Sequence, residues 1–346
     1  MTPRLEQLVA TMAPRDAVSQ QALEWRRVLA RRGIGGEIHA ENIHPDLRGE
    51  VRPLDGFTPS GPVLMRYSLW SGAAARFLEL PSDTPRAVLY HNITPAELLS
   101  EQPGLAELCR RGRDALPALV AAARACVADS AYNAAELSRA GAAAVDVIPL
   151  LLHLPDAPRT PAPTGSPRVV VVGRVVPSKR IDAVVRAAAA LARRVPGACV
   201  DVVGSWDGFE RYRDALGALA RRLGVTDRVV FHGAVSDAER DRRYAGAGAY
   251  LSLSAHEGFC APLLEALAMG LPVVAADAAA IPETLDGGGL LVPDGDPVFA
   301  AEALRIVLTD PGAGDEMRRR GRDRVARYRS RDVAGEIEAF ARRLTG

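Results

Sequence analysis

Apolar positions in the second half of the chain come in short, nearly unbroken runs: "VVVVG" (169–173), "CVDVVG" (199–204), "RVVFHG" (228–233), "AYLSLS" (249–254) and "PVVAAD" (272–277). Such runs suit parallel strands covered on both faces, because a strand with no solvent side has no reason to alternate. Between them, the Ala-, Leu- and Arg-rich segments 181–195, 208–223 and 237–247 carry apolar residues at helical period. Strand, loop and helix in repeated alternation predict a doubly wound α/β domain. The first half has the same rhythm more faintly, with candidate strands in "LEQLVATM", "PVLMRYS", "RAVLYHN", "ACVADS" and "VDVIPL".

Between the halves, "HLPDAPRTPAPTGSPR" (153–168) is too rich in proline for regular structure and reads as an interdomain linker. The expected division is a first domain over 1–155, a linker over 156–167 and a second domain over 168–329. Beyond residue 310 the chain is helical and mixes charges, and a helix over about 330–346 is expected to pack back on the first domain. Two Rossmann-like domains in tandem are expected to face each other across a cleft, with strand C-termini pointing into it.

Composition narrows the function. In a chain of 346 residues, 43 basic side chains nearly cancel 42 acidic ones, so no overall field favours nucleic acid or anionic lipid. Aromatic residues at 5% are too sparse for a base-stacking surface. Nucleic acid is therefore not an expected partner. Cys109, Cys126, Cys199 and Cys260 form no CxxC pair, so neither a zinc site nor a disulfide framework is indicated. The N-terminus lacks the basic and apolar regions of a signal peptide, and no apolar stretch approaches the roughly 20 residues that span a bilayer. The chain is expected in the cytoplasm, with peripheral contact at the inner face of a membrane as the alternative.

One basic residue stands apart. Of the 43, only Lys179 is a lysine, and it lies in "RVVPSKR" between the first valine run and a helix. A strand ending in Gly173, then a loop bearing Arg174 and Lys179, then a helix N-terminus is a phosphate-facing arrangement. It is neither a Walker A loop nor GxGxxG. The competing reading is a pair of solvated charges at a helix start. A basic pair alone favours the second reading; lysine's compact ammonium is not interchangeable with arginine between phosphates, which shifts weight towards the first and leaves both open on these residues.

The second constellation is "SLSAHEGFCAPLLEALAMGLPVVAADAAAIPE" (252–283). Seven residues separate Glu257 from Glu265. Gly258 and Pro262 interrupt the segment, so Glu257 falls in a loop after a strand and Glu265 inside the next helix. Ionised carboxylates are pure acceptors and suit hydroxyl-rich ligands. The backbone amides of Phe259, Cys260 and Ala261 open the helix and can point at a phosphate.

From about 167 to 330 the chain resembles the retaining glycosyltransferases of family 4, group 1, which have the GT-B fold. The residues that carry the resemblance are "VGRVVPSKRID", "VVGS", "RVVFHGAVSD", "SLSAHEGFCAPLLEALAMGLPVVAAD" and "IPE" followed by "GGLLVPDGD". The resemblance implies a nucleotide-sugar donor held mainly by the second domain. On it, Arg174 and Lys179 hold the donor diphosphate, Glu257 the transferred sugar and Glu265 the ribose. Many family members read EGFG where this chain has "EGFC", so Cys260 puts a side chain where the backbone approaches the donor. Asp237, after the third strand of this domain, is either a hydrogen-bond acceptor for a guanine edge or part of a helix start.

In the first half, "RAVLYHNITPAELL" (86–99) puts His91 at a strand end. The string resembles a subset of the family in which a histidine here contacts the sugar, against the alternative of a structural histidine. Where family members often have glycines after the first strand, this chain has Pro14, Arg15 and Asp16. Asp16 is a candidate on the acceptor side or a helix cap, and Tyr67 is a candidate for the acceptor cleft or the core. Ser130 is expected to cap a helix that stops at Gly141.

The activity expected is transfer of a sugar from a GDP- or UDP-type donor to an acceptor hydroxyl, with retention at the anomeric carbon. No cofactor and no metal are expected, there being no Asp-x-Asp motif. The acceptor class is a carbohydrate, a lipid-linked molecule or a small molecule. The alternatives are a phosphorylase on the same fold and a non-catalytic nucleotide-sugar-binding protein.

Overall fold

The computed structural model describes residues 4–155 and 167–345, so nearly all of the expected linker lies outside the described residues. Contacts divide the chain into two compact units. One comprises Met1–Glu97, Pro103–Leu151 and Asp332–Gly346, the other Leu98–Gln102 and Leu152–Arg331.

The first unit runs β1 (Glu6–Met12), α1 (Ala17–Arg31), β2 (Ile38–Ile43), β3 (Arg52–Pro53), β4 (Val63–Tyr67), α2 (Gly72–Leu78) and β5 (Arg86–Tyr90). It continues through α3 (Pro103–Ala122), β6 (Ala125–Ala128), α4 (Ala131–Arg139) and β7 (Asp146–Val147). All seven strands pair in parallel, in the order β3-β2-β1-β4-β5-β6-β7. The second unit runs β8 (Arg168–Val172), α5 (Ile181–Ala192), β9 (Cys199–Val203), α6 (Glu210–Arg222), β10 (Val229–Gly233), α7 (Asp237–Ala245) and β11 (Ala249–Ser252). There follow α8 (Ala261–Ala268), β12 (Val273–Ala276), α9 (Ile281–Leu285), β13 (Leu290–Val292), α10 (Pro297–Thr309) and α11 (Pro311–Ser330). Its sheet is also parallel, ordered β10-β9-β8-β11-β12-β13. Both are the doubly wound α/β arrangement that the apolar runs predict. In each, the order reverses beside the unit's first strand, β1 against β4 and β8 against β11, and that reversal opens a crevice at the strand C-termini.

Three strands lie outside the predicted runs. β2, "IHAENI", is exposed at Glu41 and Asn42, and β3 is a two-residue edge containing Pro53, so neither makes an apolar run. β13 is a three-residue edge after a glycine triplet. The predicted helix over 181–195 ends three residues early, ahead of Pro196 and Gly197. That over 237–247 ends at Ala245, with Gly246 as its C-cap.

The last helix, α12 (Val333–Thr345), belongs to the first unit. Val333, Ile337, Phe340 and Leu344 recur at helical spacing on one face and pack with Trp25, Leu29, Leu64 and Leu89. Trp25 and Phe340 meet edge to face with ring centroids 6.0 Å apart. Burial of each such side chain stabilises by roughly 2 kcal/mol before the chain-ordering cost. In the second unit the core gathers Val169, Val171, Val200, Val202 and Leu251 from the strands against Ala- and Leu-rich faces of α5 and α10. Alanine on α5 lets α10 lie close against it.

Candidate functional site

Two loops leave the C-terminal edge at the reversal point of the second sheet, 173–180 after β8 and 253–260 after β11. The strands themselves are neighbours, with Val169 opposite Ala249 and Val170 opposite Tyr250. The Ala255 N–H donates to Ser178 O at 2.8 Å and ties the two loops together. The loop after β9 crowds the first one: a Cβ on Gly204, whose φ is +152°, would lie 1.9 Å from Gly173 O. Only glycine fits there.

Lys179 ends a short 3₁₀ turn, Pro177–Lys179, and the next residue, Arg180, takes a left-handed conformation at φ 47°. The Arg180 guanidinium donates to Asp294 O at 2.8 Å, which anchors the turn from behind. So held, the Lys179 Nζ reaches Glu257 Oε1 at 2.6 Å, with 26% of the lysine side chain and 10% of the glutamate's exposed. Burial pulls the Lys179 pKa down, but the Glu257 carboxylate, by its charge and its hydrogen bond, outweighs it and holds the group above its ordinary value. Arg174 lies close enough to oppose them. Its own guanidinium is exposed, 5.6 Å from the centre of the Phe209 ring.

The Glu257 loop is fixed by backbone contacts. Its carbonyl accepts from Ala280 N at 3.2 Å, and the Thr284 hydroxyl donates to Phe259 O. Gly258 is half-buried and Phe259 buried. Cys260 adopts φ 71°, ψ 63°, the left-handed region that favours glycine, and its side chain makes no capping hydrogen bond to α8. A residue with a Cβ is thus strained at this turn. The Cys260 side chain is buried, and burial together with the Glu257 charge raises its pKa well above the thiol range. Ala261 is the first residue of α8, whose opening turn also holds Pro262.

Glu265, four residues into α8, forms a second acidic point. Its Oε2 accepts from the Tyr244 hydroxyl at 3.1 Å. Burial raises its pKa, with Arg240 and that hydroxyl pulling the other way. Tyr244 stacks on Tyr250 at 6.1 Å, and Tyr250 lies near both Glu257 and Glu265, so the stacked pair links the two carboxylates. Asp237 joins this group through Arg240, 3.2 Å from its carboxylate. The helix cap is not Asp237 but Ser236, whose hydroxyl accepts from Glu239 N. Asp237 is the exposed first residue of α7.

Arg174, Lys179, Glu257 and Cys260 therefore stand together, with Glu265 and Asp237 gathered beside them. Tyr244, Tyr250 and Arg240 gave no sequence signal, because their role exists only through contacts between separate strands and helices.

In the first unit, His91 is enclosed at the end of β5, with 3% of its side chain exposed. Nδ1 is 2.7 Å from Asp129 Oδ2 and Nε2 is 3.2 Å from an Arg66 nitrogen. Arginine has only donors, so Nε2 carries the lone pair, and Nδ1 carries the hydrogen and donates to Asp129. Arg66 is fully buried beneath the Trp25 ring and also holds Gln7 Oε1 and Gln21 O. Burial lowers its pKa, and Asp129 counters. Arg66 sits in the "PVLMRYS" run and Asp129 next to Ser130, and neither was singled out from the sequence. Asp16 is the cap of α1, accepting from both the amide and the hydroxyl of Ser19 at 2.8 and 2.7 Å. Tyr67 lies wholly in the core and donates to Gly112 O at 2.7 Å, so its hydroxyl faces protein rather than a cleft. Ser130 caps α4, and Gly141 follows that helix at φ +104°.

Among the described residues no group of three or more His, Cys, Asp or Glu side chains is placed to hold a metal ion, and no helix is long and apolar enough to cross a membrane.

Two doubly wound parallel sheets in one chain, each reversing beside its first strand, are the GT-B architecture. A sucrose-phosphate synthase from Thermosynechococcus elongatus has the same fold, with a TM-score of 0.78, 20% identity and 99% of each chain covered. Residues 156–324 match the family described as glycosyl transferases group 1. Among relatives, a D-inositol 3-phosphate glycosyltransferase of Nocardia farcinica is 38% identical over 47% of this chain and 36% of its own. A GDP-mannose-dependent alpha-(1-6)-phosphatidylinositol monomannoside mannosyltransferase of Mycobacterium tuberculosis is 33% identical over 51% of this chain and 47% of its own. The chain thus spans about a third to a half of the length of these curated relatives.

Proposed function

We propose that the protein is a glycosyltransferase that moves a sugar from a nucleoside-diphosphate sugar to an acceptor hydroxyl, with retention and without a metal ion. The observation that carries this reading is the cluster of Arg174, Lys179 and Glu257 at the reversal point of a parallel sheet. Two fixed cations beside a helix start suit a diphosphate, and a carboxylate within reach of them suits the hydroxyls of the sugar it bears. The match of residues 156–324 to the group 1 family supports the reading. So does the GDP-mannose dependence of the Mycobacterium tuberculosis relative, which favours a GDP-type donor over a UDP-type one.

As the bond from the anomeric carbon to the phosphate oxygen breaks, negative charge gathers on the leaving diphosphate. Arg174, Lys179 and the first turn of α8 stabilise that charge from positions already set, which makes their contribution large. Glu257 accepts from a sugar hydroxyl and is not a covalent nucleophile. Glu265 accepts from the ribose, its acceptor strength tuned by Tyr244 and Arg240. The acceptor proton leaves to the departing phosphate, on the face from which the acceptor attacks. For His91 to touch the sugar, its Nε2 contact with Arg66 must open. The acceptor is a carbohydrate, a lipid-linked molecule or a small molecule bearing a free hydroxyl.

The test is a thermal-shift panel of GDP, UDP, ADP and dTDP on wild type and Lys179→Ala, each with EDTA present. A nucleotide at about 100 times its dissociation constant stabilises by about 2.7 kcal/mol. A shift with one nucleotide, lost in the variant, is expected. The matching sugar donor should then be turned over with a drop of about 10²–10³ in Lys179→Ala. Indifference to every nucleotide, or turnover of sugar phosphates with none present, overturns the donor assignment. A product of inverted anomeric configuration overturns retention, and loss of transfer in EDTA overturns metal independence.

A further inference from the structure

The Lys179–Glu257 pair joins a group assigned to phosphate with a group assigned to sugar, and their chemistry makes them rivals. We propose that Glu257 also discriminates against the free nucleoside diphosphate, by competing with it for the Lys179 ammonium, and so promotes product release. This rests on the donor reading above.

The pair is a built contact. Nζ and Oε1 are 2.6 Å apart, and each partner is positioned from its own backbone. Lys179 is held by the left-handed Arg180 and its bond to Asp294, and Glu257 by the bond from Ala280 N. The Ala255–Ser178 bond fixes the separation of the two loops.

An ammonium already matched to a carboxylate attracts a second anion less, and the carboxylate repels that anion across a short, half-buried distance. The intact donor and the product meet this obstacle differently. The donor brings sugar hydroxyls, which donate to Glu257 and offset the repulsion. The free diphosphate brings more negative charge at its terminal phosphate and no hydroxyl in that place. Glu257 therefore weakens product binding more than donor binding, a preference from one residue that a second cation in its place would reverse.

The experiment is calorimetric titration of GDP and UDP into wild type, Glu257→Gln, Lys179→Ala and the double variant, at one low salt concentration. Glutamine keeps the size and removes the charge. Glu257→Gln should bind the nucleoside diphosphate on the order of tenfold more tightly than wild type while transfer collapses. The gain should vanish in the Lys179→Ala background, because it acts through that ammonium. Glu257→Asp, which draws the carboxylate back from Lys179, should show a smaller gain and serves if Glu257→Gln fails to fold. Equal or weaker binding by the glutamate variants overturns the proposal and leaves the donor reading standing. A gain that persists without Lys179 also overturns it. If wild type and Glu257→Gln both ignore every nucleoside diphosphate, the donor reading falls and this inference falls with it.

Discussion

At Cys260 a side chain occupies a backbone conformation that glycine adopts freely. The left-handed turn there is imposed by its surroundings: Phe259 O is held by Thr284, and Leu263 N returns to Cys260 O at 3.1 Å. A Cβ in this region costs roughly 1–2 kcal/mol. Replacing Cys260 with glycine relieves that strain, offset by the added freedom of the unfolded chain. The melting temperature of Cys260→Gly should rise by roughly 2–4 °C in differential scanning calorimetry. A fall in melting temperature would mean that the buried thiol contributes more by packing than its backbone loses. Neighbouring Lys179 stands out as the one lysine, but its partner Glu257 carried the stronger sequence signal, from its spacing to Glu265, its strand–loop–helix setting and the GLPVVA that follows.

Among the elements, β1 shows how one buried carboxylate ties several segments together. Glu6, its first residue, accepts from the Ser60 hydroxyl at 2.6 Å, from Glu37 N at 2.9 Å and from Arg4 at 3.1 Å. Burial alone would raise its pKa, but His39, Ser60, Glu37 and Arg4 together lower it from 4.5 to about 2. A carboxylate whose folded pKa is depressed stabilises the fold above its unfolded pKa. That contribution, roughly 3 kcal/mol, is lost as pH falls from about 5 towards 2. Glu6→Gln should therefore be less stable than wild type at pH 7 and converge on it near pH 2, read from urea midpoints across that range. A constant gap between the two at every pH would refute the titration argument.

The elements also divide sharply by how far the sequence disclosed them. β8, β11 and β12 could be read because strands covered on both faces have no polar positions to confuse the pattern. β2 could not, since the consecutive Glu41 and Asn42 leave both faces of its C-terminal half exposed, and Glu41 serves there as acceptor for Gly72 N. Helix ends slipped by two or three residues even where proline or glycine stood close by, at Pro196 and Gly246. In the site, the side chains lying in loops were readable and their supports were not. Tyr244 and Glu265, or His91 and Asp129, lie 21 and 38 residues apart, and only the sheet order brings them together.

Over the whole molecule, two sheets of the same order serve different chemistry. The second gathers cations and carboxylates at its reversal point, whereas the first buries an Asp129–His91–Arg66 chain whose charges cancel internally. The first unit also depends on the far end of the sequence. Phe340 of α12 lies against Trp25, and the Arg66 guanidinium is 5.0 Å from the centre of the same indole ring. Phe340→Ala should cost about 3–5 kcal/mol. The loss should appear as weakened hydrogen-exchange protection in β1, β4 and α1, with amides of β8 and β11 unaffected. Protection lost equally from both units would mean that they unfold as one.

Because α12 completes a core that began with Leu5, the polypeptide visits the first unit, builds all of the second, and only then comes back. Synthesis runs in that same direction. At roughly 5–20 residues per second, the nascent first unit waits on the order of ten seconds or more with the face meant for Phe340 uncovered. By the end of that interval the second unit has all of its residues and can close its own core unaided. The order of assembly is thus the reverse of the order of emergence: the unit begun first is closed only by Asp332–Gly346, after the whole of the second.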